Sequence, residues 1–175
     1  NPLSRWLHER RFIWVKEYLS SFNSLPEPLV LELGCFDGRL LEYLPNNIEY
    51  IGCDAGWDDG LATAMSQTWG SHIKFQHVCA ADQIKVAQNS VDCFVSLETF
   101  EHIDVEEVEN YLVEVTKFLK PSGVALITVP NEIGIFFAIK FILKFFLHGR
   151  DNRYSVFEFF AQMFGLTKFV TRDQH

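Results

Sequence analysis

The residues able to do chemistry fall in four short stretches. Glu32 stands in VLELGCFDG, Asp54 in YIGCDAG, Asp82 in CAAD, and Glu98, Glu101 and His102 in SLETFEH. Each stretch begins apolar and ends polar. A carboxylate at the end of a buried strand can accept hydrogen bonds from both hydroxyls of a ribose, and Asp54, twenty residues after Gly34, has that placement. Gly34 suits a tight turn that lets backbone approach a ligand. Gly38 stands where a helix should open, with its amides turned toward a polar group. Imidazole titrates near neutral pH, so His102 is the residue suited to general-base work. Each feature has an ordinary reading too. An acid after a strand often caps a helix, and His102 could simply pack at a helix start.

The elements that must position these residues alternate. Residues 4 to 22 space Trp6, Leu7, Arg10, Ile13, Trp14 and Leu19 for an amphipathic helix. LPEP breaks the chain, and 29–34 reads as a buried strand. GRLLEYL starts a short helix. Residues 49–55 form a second strand, and 57–68 a helix. Residues 73–80 form a third strand, with a weak helix after Asp82. Residues 91–98 form a fourth. Residues 105–120 place Val105, Val108, Leu112, Val115 and Leu119 on one helix face, PSG turns, and 124–130 is a fifth strand. This alternation predicts an α/β fold with a doubly wound, mostly parallel sheet flanked by helices. In such sheets ligands bind beyond the carboxyl ends of the strands, where the polar groups collect.

Composition narrows the function. The 175 residues suit one domain, and 48% hydrophobic with 22% charged residues is globular. A net charge of -8 leaves no basic stripe for phosphates, so no nucleic-acid partner is expected. Cys35, Cys53, Cys79 and Cys93 form no Cys-x-x-Cys pair and follow apolar runs, so they read as buried free thiols in a reducing, cytoplasmic compartment. His8, His72, His77, His148 and His175 show no metal-ligand spacing, so no metal is expected. The charged first residues do not read as a signal peptide. With no initiator Met, the chain reads as a fragment. Gly-x-Ser-x-Gly and P-loop motifs do not occur. Dinucleotide binding needs G-x-G-x-x-G, and Phe36 and Arg39 stand at its later glycine positions.

The blocks together resemble the class I, seven-strand, Rossmann-like S-adenosylmethionine-dependent methyltransferases, of the small-molecule type. ELGCFDG is similar to the family's acid-x-Gly-x-Gly-x-Gly loop, YIGCDAG to its second-strand motif, and AAD to its third. VDCFVSLETFEHI is similar to its fourth-strand block, and LKPSGVALITVPN to its fifth. The resemblance covers residues 28 to 131. It implies S-adenosylmethionine as cofactor and methyl transfer as activity. Glu32, Gly34, Cys35, Phe36 and Gly38 would form the loop around the methionine moiety. Asp54 and Ala55 would meet the ribose, Ala81 and Asp82 the adenine, and Leu97, Glu98 and Thr99 the sulfonium end. His102 would be the catalytic base, with Glu98 and Glu101 offsetting sulfonium charge or orienting the imidazole, although Glu101 reads first as a solvated charge at a helix entry. Phe36 departs from the pattern by standing at the middle glycine. A ring turned inward would exclude the cofactor, and one turned away would spare it.

The Asn-Pro-Pro-Tyr type of motif, seen in many methyltransferases of nucleic-acid or protein amino groups, is missing, which with the acidic charge favours a small-molecule, lipid-linked or glycan acceptor. Ile133 to Leu147 is Phe-rich, interrupted only by Gly134, Lys140 and Lys144. Three roles compete for 133–148: a lid over the acceptor site, a homodimer surface, or peripheral membrane contact with both lysines at headgroups. Residues 155–164 read as a helix closing a 133–164 insert, and LTKFVT as a sixth strand. The family fold needs a seventh, so C-terminal strands are expected to be missing. The whole reads as one methyltransferase-like domain: an N-terminal helix within 1–24, the 28–131 core and the insert. Two other functions compete with the enzyme: a non-catalytic binding module with a weakened cofactor site, and a nucleotide-sugar-binding α/β enzyme.

Overall fold

The computed structural model describes residues 2–129, with Phe160 and Phe164 beyond them. The chain divides into two units, Asn1–Val129 and Pro130–His175. In the second, the Phe164 amide donates to the Phe160 carbonyl at 2.9 Å, one helical turn. The expectations for 133–148, for the rest of the 155–164 helix and for a sixth strand lie outside the described residues.

The first unit is a five-stranded parallel sheet with helices on both faces. Its strands are β1 (Leu29–Leu33), β2 (Glu49–Asp54), β3 (Ile73–His77), β4 (Val91–Leu97) and β5 (Leu119–Thr128), in the order β3-β2-β1-β4-β5. All four pairings are parallel. The order reverses between β1 and β4, and the crevice there is where such sheets bind ligands. The helices are α1 (Pro2–Leu19), α2 (Gly60–Ser66) and α3 (Val105–Phe118). The short helices expected after β1 and β3 are 3-10 turns, Arg39–Tyr43 and Ala81–Gln83.

Side chains on β1 alternate between two cores, as the pleat requires. Val30 joins Tyr50, Cys93 and Val95 under Phe12, Val15 and Leu19 of α1. Leu31 and Leu33 join Phe94 under Tyr111, Val115 and Phe118 of α3. Burying each such side chain stabilises the fold by about 1.5–3 kcal/mol. Glu32 shares the parity of Val30 and therefore lies on the α1 side.

Several expected details change. On α3 the two aromatics take the core, so the buried line is Tyr111, Val115 and Phe118, with Val105 77% exposed and Leu112 turned outward. On α1 the inward line is Phe12, Val15 and Leu19, leaving Trp14 43% exposed and Arg10 at the surface. PSG is no turn before β5. It lies within the strand, where the pairing with β4 shifts register between Val91 and Cys93. β3 ends at His77, so Cys79 falls outside the sheet and is exposed, unlike the other three thiols.

Candidate functional site

The loop after β1 closes on the end of β2 through its own backbone. The Gly34 and Cys35 amides both donate to the Cys53 carbonyl, at 2.8 and 3.2 Å. The Gly38 amide donates to Cys35 at 2.9 Å. The Phe36 amide donates to Asp54 Oδ2 at 2.9 Å, and the Gly56 amide to Asp54 Oδ1 at 2.7 Å. Gly34 and Gly38 have φ of 78° and 75°, a region that glycine enters without cost. Gly34 is needed for space as well. A Cβ there would come within 2.1 Å of Thr99 Oγ1 and 2.9 Å of Thr99 Cβ, so no rotamer of Thr99 escapes it. The Thr99 hydroxyl donates to the Leu33 carbonyl at 3.2 Å and so holds the β4 turn against the β1 loop.

Phe36 adopts φ of 48°, which costs a non-glycine residue about 1–2 kcal/mol. Its ring leans on Gly60 at the start of α2, where an added Cβ would lie 2.3 Å from it. The ring therefore packs on the β2–α2 side. Gly34 and Thr99, on the β4 side, stay partly exposed. Cys35 is buried in the core, so it offers the edge only backbone. Burial also pushes its thiol well above the ordinary range, so it is inert as a nucleophile.

Glu32 does not reach the edge. It is buried beneath the loop and accepts a hydrogen bond from the equally buried Tyr50 hydroxyl. Burial pushes its carboxyl up to about 8, against the opposing pull of the Tyr50 bond and the Arg11 charge. Asp54 and Ala55 are half-buried at the end of β2. Each Asp54 oxygen accepts one amide and keeps a second lone pair for a hydroxyl. Ala81 is buried and Asp82 exposed. Glu107 of α3 accepts the Ala81 amide at 2.9 Å and Asn110 Nδ2 at 3.0 Å, which fixes the turn carrying Asp82. Those two bonds hold the Glu107 carboxyl below its usual range.

The β4 end brings Leu97, Glu98, Thr99, Glu101 and His102 together. Leu97 is buried in the α1-side core. Glu98 has φ of 53°, a second left-handed non-glycine residue on this edge. Its amide donates to the Thr128 carbonyl at 3.0 Å, and its carboxylate pairs with Arg11 of α1. Glu101 lies 3.9 Å from His102 Nε2, and burial raises its carboxyl pKa. The His102 side chain is 63% exposed. Sequence reasoning missed Arg11, Tyr50 and Glu107. Each acts from another element, and no local pattern marks it.

The edge thus offers a backbone-rich loop, a hydroxyl-binding acid beside it, a second acid on the next turn, and an open acid–imidazole pair. S-adenosylmethionine fits these residues in one testable respect: the Phe36 ring, which could have filled the loop, is parked on Gly60. The Asp54 oxygens also retain acceptor capacity.

Comparison with known proteins agrees. A protein 22% identical over 118 residues is the ubiquinone biosynthesis O-methyltransferase of Rickettsia bellii, matched over 67% of this chain and 48% of its own. The chain thus spans about half the length of that relative. An Archaeoglobus fulgidus S-adenosylmethionine-dependent methyltransferase shares the fold at TM-score 0.56 and 23% identity, over 79% of this chain and 64% of that one. The Haemonchus contortus phosphoethanolamine N-methyltransferase 2, in complex with S-adenosyl-L-methionine, does so at TM-score 0.52 and 22% identity, over 63% of this chain and 26% of that one. The family described as methyltransferase domain matches residues 30–123, more than half of the chain. With its five parallel strands, glycine loop and strand-end acids in the expected order, the chain belongs to the methyltransferase domain family, in the class I Rossmann-like fold.

Proposed function

We propose that the protein binds S-adenosylmethionine at the β1–β4 crevice and transfers its methyl group to a small-molecule acceptor, on oxygen and lipid-linked. The observation that carries the cofactor reading is the Asp54 carboxylate. It is clamped by the Phe36 and Gly56 amides, half-exposed, and still able to accept from two hydroxyls. The name of the Rickettsia bellii relative supports an oxygen acceptor on the path to a lipid-linked quinone.

When bound, S-adenosylmethionine supplies an electrophilic methyl group with a neutral thioether as leaving group. The chain has to orient and to exclude water, and orientation can carry most of such a rate. In this reading the 34–38 loop cradles the amino-acid end, and Asp54 holds the ribose hydroxyls. Asp82, fixed by Glu107, faces the adenine amino group. Leu97 to Thr99 form the wall beside the reacting sulfur. His102, exposed next to Glu101, takes the acceptor proton.

Calorimetric titration with S-adenosylhomocysteine tests this. The expected result is saturable one-to-one binding, weakened at least about tenfold in Asp54→Ala because charge-assisted bonds are lost. With an acceptor in hand, His102→Ala should lower turnover and leave that affinity unchanged. No binding by the full chain would move the assignment to a non-catalytic module on the same fold.

A further inference from the structure

We propose that Arg11 is a positioning residue that acts through Glu98 and balances charge at the methyl-donor end of the site. The proposal rests on the S-adenosylmethionine reading above. α1 carries the Arg11 guanidinium to the carboxyl edge of the sheet, 87 residues from its partner in sequence. Both side chains are partly buried, at 23% and 35% exposure. The guanidinium carbon sits 5.1 Å from the centroid of the Phe12 ring, and Arg11 Nε is buried with no hydrogen-bond partner among the described residues. Arg11 is thus packed in place and does not sweep through solvent.

Arg11 acts on three carboxyl groups. Glu98 is in contact, and Arg11 acts electrostatically on Glu32 and Glu101 as well. Glu98 holds a left-handed backbone at the start of the turn that packs Thr99 onto Gly34. Glu98 thus stands one residue before the Thr99–Gly34 contact, with its carboxylate on Arg11. Losing the Arg11 guanidinium would remove one cation in contact with Glu98 from that corner.

The substrate and product forms of the cofactor differ there by one charge. The sulfonium is cationic and the thioether neutral, while the rest of the ligand is shared. A more acidic corner favours the sulfonium and resists losing it to the acceptor. Arg11 tempers that preference and keeps Glu98 in one conformation. Glu98 then forms a wall of the site, held by Arg11, and no free counter-ion.

The test is paired calorimetry of the full chain, Arg11→Met, Arg11→Lys and Glu98→Gln with S-adenosylmethionine and S-adenosylhomocysteine. Wild-type protein should bind both ligands. Arg11→Met should shift the affinity ratio toward the sulfonium by about three- to tenfold, the size of one charge acting across a partly screened distance. Arg11→Lys should stay near the wild-type ratio, and Glu98→Gln should move it toward the thioether. Equal weakening of both ligands in Arg11→Met, or no change in either, would overturn the charge role even though the site binds. If Arg11→Met does not fold, Glu98→Gln carries the test alone, and an unmoved ratio there overturns the proposal. If wild-type protein binds neither ligand, the cofactor reading fails first and takes this one with it.

Discussion

The loop after β1 is closed mainly by backbone amides, whereas the turn after β4 adds side-chain contacts with other elements to its backbone bonds. Amides of Gly34, Cys35, Phe36 and Gly38 all find acceptors within the loop or at the end of β2. On the β4 side, Glu98 is held by Arg11 from α1, and Thr99 reaches across to Leu33. Both places carry a non-glycine residue in left-handed backbone, a strain that clusters at functional sites. The difference separates how such strain is maintained. At Phe36 the amide is held by the Asp54 carboxylate, within a loop closed by backbone bonds to Cys53. Glu98 keeps its amide on the Thr128 carbonyl, but a single substitution can remove the Arg11 pair from its carboxylate.

Gly34→Ala should have the largest effect, because Gly34 is where the two regions touch. The new Cβ would meet Thr99 at its Oγ1, its Cγ2 and its Cβ, and it would sit at φ of 78°. Strain and overpacking add, so the expected loss is roughly 3 kcal/mol. Urea unfolding measures it. A loss under about 1 kcal/mol, as at an ordinary surface position, would mean that the β4 turn is free to move away.

Glu32 gives the next largest effect, and it lies where the regions meet. Tyr50 of β2 donates to it, and the Arg11 charge acts on it. Its folded-state pKa is raised from 4.5 to about 8, mainly by burial. The folded protein therefore keeps a proton that the unfolded chain releases. This group's contribution to stability is greatest below about 4.5, falls as pH rises toward about 8, and is level above. The slope is at most about 1.4 kcal/mol per pH unit. Glu32→Gln has no proton to lose and accepts from Tyr50 through its amide oxygen. Its stability relative to wild type should rise between pH 5 and pH 8. Parallel denaturation curves across that range would show that Glu32 is ionised in the folded protein.

The same division explains what the sequence made legible. The parallel α/β sheet and the Gly34–Gly38–Asp54 set could be read because their signals are local. A buried strand must be apolar, a left-handed turn wants glycine, and an acid at a strand end is visible as such. The helix faces were read one position off, since counting aliphatics gave Leu112 the core place that Tyr111 and Phe118 fill. Glu32 looked like an edge residue because strand parity shows only once the partner faces are known. Arg11 could not be found at all. Its role exists only after α1 has packed on the sheet, and Arg10 had looked like the inward residue.

Phe36→Gly is the gentlest change. Removing the side chain relieves about 1–2 kcal/mol of left-handed strain. It also forfeits the packing of a half-exposed ring on Gly60, and glycine adds unfolded-state entropy of comparable size. The terms oppose, so net stability should change by less than about 1 kcal/mol. The amide to Asp54 survives, because glycine keeps its N–H. If the loop is held by backbone, S-adenosylhomocysteine affinity should change by less than about threefold, within what one modest interaction contributes. A gain of tenfold or more would show that the ring obstructs the ligand. A large loss would mean that the ring on Gly60, and not the backbone, sets the loop. Side chains would then help to hold both sides of the site.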